Sequence, residues 1–441
     1  MENRKLTSVE LGEIAKLGSA QLDMLAAWAN KQVTCSHCKR CQLRCEVLKE
    51  ADLDAGLVEE AYERVMLIDE AKRSQAVLQL VNDHPQMYNA LRRCCFCGYC
   101  TAACSHHVLA ADRMRDWRIL FMQAGLMPPD DSRIVMVDNE WHLFSAYRAI
   151  YGIGYPEFTY LSQAAEAGPG LVDTVFFPGC SLVSYAPELT RKAGNWLTSA
   201  GVKWALSDDC CGSPLMSAGL FDRAAALRER ILDQMRAAGA KRMLTVCPGC
   251  GEEFAETMRD EVEIVPLPEF MLQVAGKMKG ADPLACPPAC GFSPLATESV
   301  TVFDSCHDRA EGRHGAAIRE LVRRYMPETE LREMDHRKRG TLCCGAGGAV
   351  GSYDADITNR RVWRVIEEAR KTGAQTLVTM CPTCTYTVAQ ACLDQPNRAM
   401  GSRHYLELLF GETIDWAQIF DQLQSMWSGE YGPWLMSTFY G

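Results

Sequence analysis

The spacing of the cysteines constrains this chain more than any other feature. Cys35, Cys38, Cys41 and Cys45 follow C-x2-C-x2-C-x3-C, and Cys94, Cys97, Cys100 and Cys104 repeat that run after 48 intervening residues. Ten more form two sets of five: Cys180, Cys210, Cys211, Cys247 and Cys250, then Cys306, Cys343, Cys344, Cys381 and Cys384. With 22 cysteines in 441 residues, a secreted disulfide scaffold is the first class to weigh. The opening stretch MENRKLTSVELGEIAKLGSAQLDMLAAWANKQ argues against it, because charge interrupts every apolar run before signal-peptide length. No uncharged apolar run reaches 18 residues, so no transmembrane helix is expected. In a reducing cytoplasm thiols stay free unless they hold metal or do redox chemistry, and a cytoplasmic protein using them in that way is the expectation. The 46 basic and 56 acidic residues leave a formal charge of −10 with no long Lys/Arg block, so nucleic acid and anionic lipid surfaces are poor partners.

Each four-cysteine run carries three thiolates on a tight loop, which reach three corners of a cubane [4Fe-4S] cluster. The fourth, past a longer spacer, turns to the other cluster in two-cluster ferredoxins. Cys35, Cys38 and Cys41 are therefore paired with Cys104, and Cys94, Cys97 and Cys100 with Cys45. Residues 46–93 are rich in Ala, Leu, Glu and Arg with apolar positions at i, i+3 and i+4, which reads as helix. Residues 1–110 thus resemble the α-helical ferredoxin domain of respiratory iron-sulfur subunits, although Glu46 and Ser105 stand where that family usually has proline. A pair of zinc sites is the competing reading, and the third close thiolate of each run counts against it.

Residues 111–170 are read as a connecting segment without clear period, and from Asp173 onward the chain repeats itself. DTVFFPGC, ending at Cys180, corresponds to VTVFDSC, ending at Cys306. Cys210-Cys211-Gly212 recurs 133 positions later as Cys343-Cys344-Gly345, and Cys247-Pro-Gly-Cys250 recurs 134 later as Cys381-Pro-Thr-Cys384. Short apolar runs alternate with helical stretches in both halves, predicting two α/β units with parallel strands at 171–280 and 297–415, with cysteines where strands end. Five thiolates are too many for one zinc ion or one cubane. Adjacent cysteines can reach neighbouring irons of a larger, opened cluster, and the glycine that follows permits the bend.

The C…CCG…C-x-x-C pattern, with 29 and 35 intervening residues in the first copy and 36 and 36 in the second, resembles the CCG-domain family. Two cubane runs followed by two CCG domains resemble the catalytic subunit of heterodisulfide reductase. Subunits of membrane-bound respiratory complexes of sulfate reducers share that plan, as do the iron-sulfur subunits of glycolate oxidase and glycerol-3-phosphate dehydrogenase. The resemblance implies an α + α/β fold, a helical ferredoxin domain followed by two duplicated CCG domains. It also implies an iron-sulfur oxidoreductase with two cubane clusters and two noncubane [4Fe-4S] clusters on the ten CCG cysteines, a disulfide being cleaved between the latter. The chain shows no quinone, haem or flavin motif and no G-x-G-x-x-G opening a helix, so a redox partner is expected. The respiratory relatives imply a membrane cytochrome b-type subunit and a multihaem cytochrome c, with this chain on the cytoplasmic face. The alternative is a non-catalytic electron conduit serving a hydroxy-acid dehydrogenase of the glycolate, lactate or glycerol-3-phosphate type; the completeness of both CCG motifs weighs against it.

Four cysteines remain. Cys95 and Cys392 have no assigned role, and Cys286 and Cys290 are either free thiols or half of a zinc site. His307, beside Cys306, either donates protons to a leaving thiolate or makes a structural hydrogen bond. Arg332, Arg337, Lys338 and Arg339 either attract an anionic thiol or form a solvated loop. The aromatic tail over 416–441, with Trp416, Trp427, Trp434, Phe439 and Tyr440, either docks on a partner subunit or packs back on its own domain.

Overall fold

The computed structural model describes residues 35–106, 108–127, 133–277 and 292–440. Residues 1–34 and the Cys286/Cys290 pair lie outside the described residues. Between the two four-cysteine runs the chain forms the helices Glu46–Glu50, Ala55–Met66, Glu70–Asp83 and Pro85–Arg92. Their starts follow from local chemistry: Asp54 and Asp69 cap backbone N–H groups, and Pro85 occupies a first-turn position that needs no donor. Leu48, Val58, Val77, Leu91, Trp117 and Phe121 form the core of this helical part.

The connecting segment, in which the sequence shows no clear period, contains the helices Ala110–Gln123, Leu143–Ile150 and Leu161–Ala167. Its missing period has a physical cause. The three helices serve different cores: Trp117 packs in the helical part, Leu161 on the first α/β unit, and Tyr147 against the C-terminal helices. The first of them also buries an arginine in the middle of its apolar face.

Two four-stranded parallel sheets follow. The first contains β1 (Thr174–Phe177), β2 (Trp204–Leu206), β3 (Arg242–Thr245) and β4 (Glu263–Pro266) in the order β2-β1-β3-β4. The second contains β5 (Ser299–Phe303), β6 (Glu330–Leu331), β7 (Thr376–Thr379) and β8 (Gly401–His404) in the same order, β6-β5-β7-β8. Val175 of β1 lies opposite Ala205 on one side and Met243 on the other, and Val300 of β5 opposite Leu331 and Thr376. Helices cover both faces, so β1 and β5 are buried throughout rather than alternating. Strand order reverses at β1 and β5, which opens a crevice beyond their carboxyl ends. One core joins the repeats, with Phe176, Leu244, Val265 and Phe270 from the first meeting Val300, Val302, Ile318 and Val378 from the second.

The aromatic tail packs back on its own chain. Helices Trp416–Ser428 and Gly432–Tyr440 bury Trp416, Ile419, Met426, Leu435 and Phe439 against Tyr147, Tyr185 and Tyr386. Among the described residues, no helix is long and apolar enough to cross a membrane.

Arg118, on helix Ala110–Gln123 and 1% exposed, joins the three parts. Its Nη1 donates to Ser217 O (2.6 Å) in the first repeat and to Gly348 O (2.9 Å) in the second. Its Nη2 donates to Arg92 O (3.0 Å) and Cys94 O (3.2 Å) in the helical part, and the guanidinium lies 4.9 Å from the centre of the Phe96 ring. Replacing Arg118 with Met strands these buried acceptors at an expected cost on the order of 3–5 kcal/mol. Thermal melting should therefore drop clearly for Arg118→Met and stay within error for the exposed control Arg323→Met.

Candidate metal centres

The two four-cysteine runs share a backbone shape that composition does not reveal. His37 and Phe96, each two residues after the first cysteine of its run, both take a left-handed conformation (φ 52° and 53°), and Lys39 and Gly98 repeat it two residues on (φ 56° and 69°). Such turns aim successive N–H groups inward, and the amides of His37 and Phe96 donate to the sulfurs of Cys35 (3.3 Å) and Cys94 (3.4 Å). A cavity is lined by Cys94, Cys97 and Cys100 together with Cys45 from the other run. Cys35 has Cys104 among its charged neighbours, and Cys41 has Cys35. Cys38 is exposed, with Arg40 and Ser36 beside it, and is not gathered with the others. Burial pushes the Cys45 thiol up to about 11 and the Cys100 thiol well above its ordinary range. Asp54, near Cys35, is already engaged, capping Leu57 N and bonding His37 Nδ1 at 3.1 Å.

Eight of the ten remaining candidate cysteines lie beyond the carboxyl ends of strands, and Cys250 and Cys384 lie in the first turns of the helices Pro248–Met258 and Pro382–Asp394. Cys180 follows β1, Cys210 and Cys211 follow β2 and Cys247 follows β3; Cys306, Cys343, Cys344 and Cys381 follow β5, β6 and β7 in the same way. Cys247 and Cys381 are the N-caps of these helices, where the dipole and the first-turn N–H groups favour thiolate. Cys381 is held well below the usual thiol range, whereas at Cys247 the bond from Cys250 is outweighed by the Cys381 sulfur and burial, which push it well above that range. Gly212 and Gly345, closing the two CCG motifs, have φ of 86° and 88°. A side chain there would also press on the following helix at Ala224 or Thr358, so the bend requires glycine.

These cysteines form linked groups. Sulfur-to-sulfur distances are 3.5 Å for Cys180–Cys210, 3.3 Å for Cys344–Cys384 and, across the repeats, 3.6 Å for Cys247–Cys381. Cys211 bonds both Cys210 and Cys250, and Cys250 bonds Cys247. The second repeat divides: Cys384 bonds Cys344 and Cys381, and Cys381 joins this group to the first repeat, whereas Cys343 meets Cys306, Cys95 and Cys97. Hydrogen bonds from neighbouring thiols hold Cys211, Cys343 and Cys381 well below the usual thiol range, making them the acceptors of their groups.

The charges around the sulfurs fit an anionic cofactor. Arg118, Arg309 and Arg361 are buried, and among the described residues none of them pairs with a carboxylate. Arg309 donates to Cys97 O (3.1 Å), Arg339 O (2.6 Å) and Thr341 O (3.0 Å), while Arg361 Nη1 donates to Cys95 Sγ. Buried cations beside neutral thiols would be costly, but beside thiolates of a negatively charged iron-sulfur group they are compensated.

Sequence reasoning left Cys95 without a role; its adjacency to Cys94, echoing the CC pairs, was the available signal. Cys392 is half-buried, 3.8 Å from Met400 O and remote from these groups. Arg332 is half-buried and paired with Glu330 at 2.7 Å, and Arg337, Lys338 and Arg339 are exposed, which favours the solvated reading of the basic stretch. His307 bonds Glu252 Oε2 through Nδ1 at 2.5 Å and packs on Gly249 of the first repeat. Burial pulls its pKa down, but the Glu252 carboxylate outweighs that and lifts it to about 9, so it is imidazolium near neutrality. A polar cavity of about 260 Å3 reaches Cys180 and Cys210; His142, Arg148, Asp208 and Arg230 are on its walls.

The family CCG, "Cysteine-rich domain", matches the chain at residues 174–255 and 300–389. The chain is 27% identical over 228 residues to a subunit of the dihydromethanophenazine:CoB--CoM heterodisulfide reductase of Methanosarcina barkeri, covering 48% of this chain and 52% of that protein. It is 24% identical over 356 residues to a subunit of the fumarate reductase (CoM/CoB) of Methanothermobacter marburgensis, covering 79% and 66%. Similarity to a subunit of the anaerobic glycerol-3-phosphate dehydrogenase of Escherichia coli K12 is 25% over 259 residues, covering 54% and 60%. The chain thus spans about half the length of the heterodisulfide reductase relatives it matches. It carries two copies of the CCG cysteine-rich domain behind two C-x2-C-x2-C-x3-C runs, and is similar over part of its length to a heterodisulfide reductase subunit.

Proposed function

We propose that this chain is the iron-sulfur subunit of an anaerobic respiratory electron-transfer complex and performs thiol/disulfide chemistry of the heterodisulfide type. The observation that carries the reading is the run of thiols from Cys97 through Cys343 into the second repeat, and from Cys381 through Cys247 to Cys180 in the first. In this reading Cys35, Cys38, Cys41 and Cys104 hold one cubane cluster, and Cys94, Cys97, Cys100 and Cys45 the other. Cys180, Cys210, Cys211, Cys247 and Cys250 hold one noncubane cluster, and Cys306, Cys343, Cys344, Cys381 and Cys384 the second. When bound, the clusters supply one-electron relays and two irons able to take one sulfur each, so that R–S–S–R′ with two electrons and two protons yields R–SH and R′–SH.

The chain's own residues exclude water, hold the thiolates at helix N-termini and keep a proton on His307 at the seam between repeats. The polar cavity at Cys180 and Cys210 gives a small substrate an approach. Electrons require a partner, and a membrane cytochrome b-type subunit with a multihaem cytochrome c fits a peripheral position on the cytoplasmic face. The second reading, a conduit without a substrate of its own, is favoured by the similarity to the glycerol-3-phosphate dehydrogenase relative.

Anaerobic metal analysis is expected to find about 16 iron and a similar amount of sulfide per chain. Half that iron would remove the noncubane clusters from the account. Cys45→Ser should abolish the paramagnetic signal of the cluster of Cys94, Cys97 and Cys100 while sparing the other cubane; the opposite loss refutes the crossed ligation. Cys211→Ser or Cys344→Ser should abolish disulfide reduction with an artificial donor and leave both cubanes reducible. If thiols and disulfides neither perturb the wild-type clusters nor turn over while a flavin partner is still served, the conduit reading stands instead.

A further inference from the structure

Each repeat buries one arginine of the helix that follows its CCG motif, and the two are compensated differently. Arg228, on helix Phe221–Ala238, donates to Cys211 O (3.2 Å) and to the Glu253 carboxylate (3.0 Å), whose side chain is only 3% exposed. Arg115, 3.7 Å from the same carboxylate, is bonded to Glu256. Arg361, on helix Ala355–Lys371 and 7% exposed, donates to Cys95 Sγ, and the thiols of Cys343, Cys97 and Cys45 face its charge. The position 134 residues after Glu253, the offset of the two C-x-x-C motifs, is Thr387, whose hydroxyl donates to Thr383 O. Among the described residues no carboxylate pairs with Arg361.

We propose that Arg361 makes the two CCG clusters electrostatically unequal, so that an electron entering from the cubane of Cys45, Cys94, Cys97 and Cys100 rests first on the second-repeat cluster. The inference builds on the four-cluster reading above. The step moves one electron from the reduced cubane to the oxidised second-repeat cluster, with no bond made or broken. A buried cation is poorly screened, and it stabilises whichever neighbouring group gains negative charge. Hydrogen bonds to sulfur and net local charge are the protein's means of setting cluster potentials, and Arg361 supplies the charge beside Cys343. In the first repeat Glu253 cancels the corresponding charge. Cys95 is a positioning residue: its sulfur accepts from Arg361 and donates to Gly345 O (3.3 Å), which fixes the guanidinium between the cubane run and the second CCG motif. Gly347 lets the two backbones close, since a side chain there would overlap the Cys95 carbonyl.

The test is a redox titration of the reconstituted full chain, followed by electron paramagnetic resonance at pH 8. There Glu253, pushed up to about 7 by burial, is ionised. Signals are assigned by their loss in Cys35→Ser, Cys180→Ser and Cys306→Ser. Arg361→Gln should shift the midpoints of the second-repeat cluster and its adjacent cubane to more negative potential, leaving the Cys35 cubane and the first-repeat cluster unmoved. Arg361→Lys should restore much of the shift. Glu253→Gln, which frees Arg228, should raise the first-repeat midpoint alone. Unmoved midpoints at full iron load, or an equal shift of all four, overturn the inference and leave the four-cluster reading intact. About half the iron overturns both. Should Arg361→Gln fail to load clusters, an unmoved first-repeat midpoint in Glu253→Gln is sufficient to overturn the inference.

Discussion

The arrangement depends on buried positive charge that is answered by sulfur and backbone oxygen rather than by carboxylates. Arg118, Arg309 and Arg361 would be hard to justify in an ordinary core, because a guanidinium away from water is expensive unless its donors are met and its charge is balanced. Carbonyls meet the terminal nitrogens of Arg118 and the donors of Arg309, and the Cys95 sulfur meets Arg361. Balance comes only if the surrounding cysteines are thiolates of an anionic group, so the cysteine pattern and the placement of the arginines are two expressions of one constraint. Arg118 serves a second purpose, because its carbonyl partners belong to all three parts of the chain and its retention ties their relative positions together.

Duplication explains why the two CCG sites look alike, and the added helical part explains why they are not alike. Identical strand order places equivalent loops at equivalent ends, and the repeats meet at Cys247 and Cys381. The helical part touches them unequally. It meets the second repeat through Cys95, Cys97 and the glycines after Cys344, and the first through Arg118 at Ser217 and Arg115 at Glu253 and Glu256. A symmetric pair of sites therefore sits at the end of an asymmetric supply.

Much of this was legible in the sequence because metal chemistry and parallel sheets both write in fixed spacings. The 133- and 134-residue offsets were enough to anticipate two α/β units with cysteines at strand ends. The glycine of each CCG motif carried its bend visibly, since few other residues tolerate a positive φ. What was not legible involves partners distant in sequence. Arg361 reaches Cys95 across 266 positions, and nothing local separates it from the exposed Arg360 and the half-buried Arg364 on the same helix. The basic stretch at Arg332 drew attention because its charges adjoin one another, yet what sets Arg118, Arg309 and Arg361 apart is burial against distant partners. Helix Ala110–Gln123 lacked a clean apolar stripe for the same reason: its buried Arg118 breaks the pattern it stabilises.

The cavity that gathers Cys45, Cys94, Cys97 and Cys100 is walled on its far side by Thr341, Leu342 and Cys343. That wall is synthesised late, because Cys343 follows Cys97 by 246 positions. At translation rates of about 5–20 residues per second, the run stands unroofed for roughly 12–50 seconds before the wall exists. Once the second repeat has docked, Thr341, Leu342 and Cys343 cover the cavity on that side. The approach to this cavity from that side is therefore open while the chain is being made and covered by the second repeat afterwards.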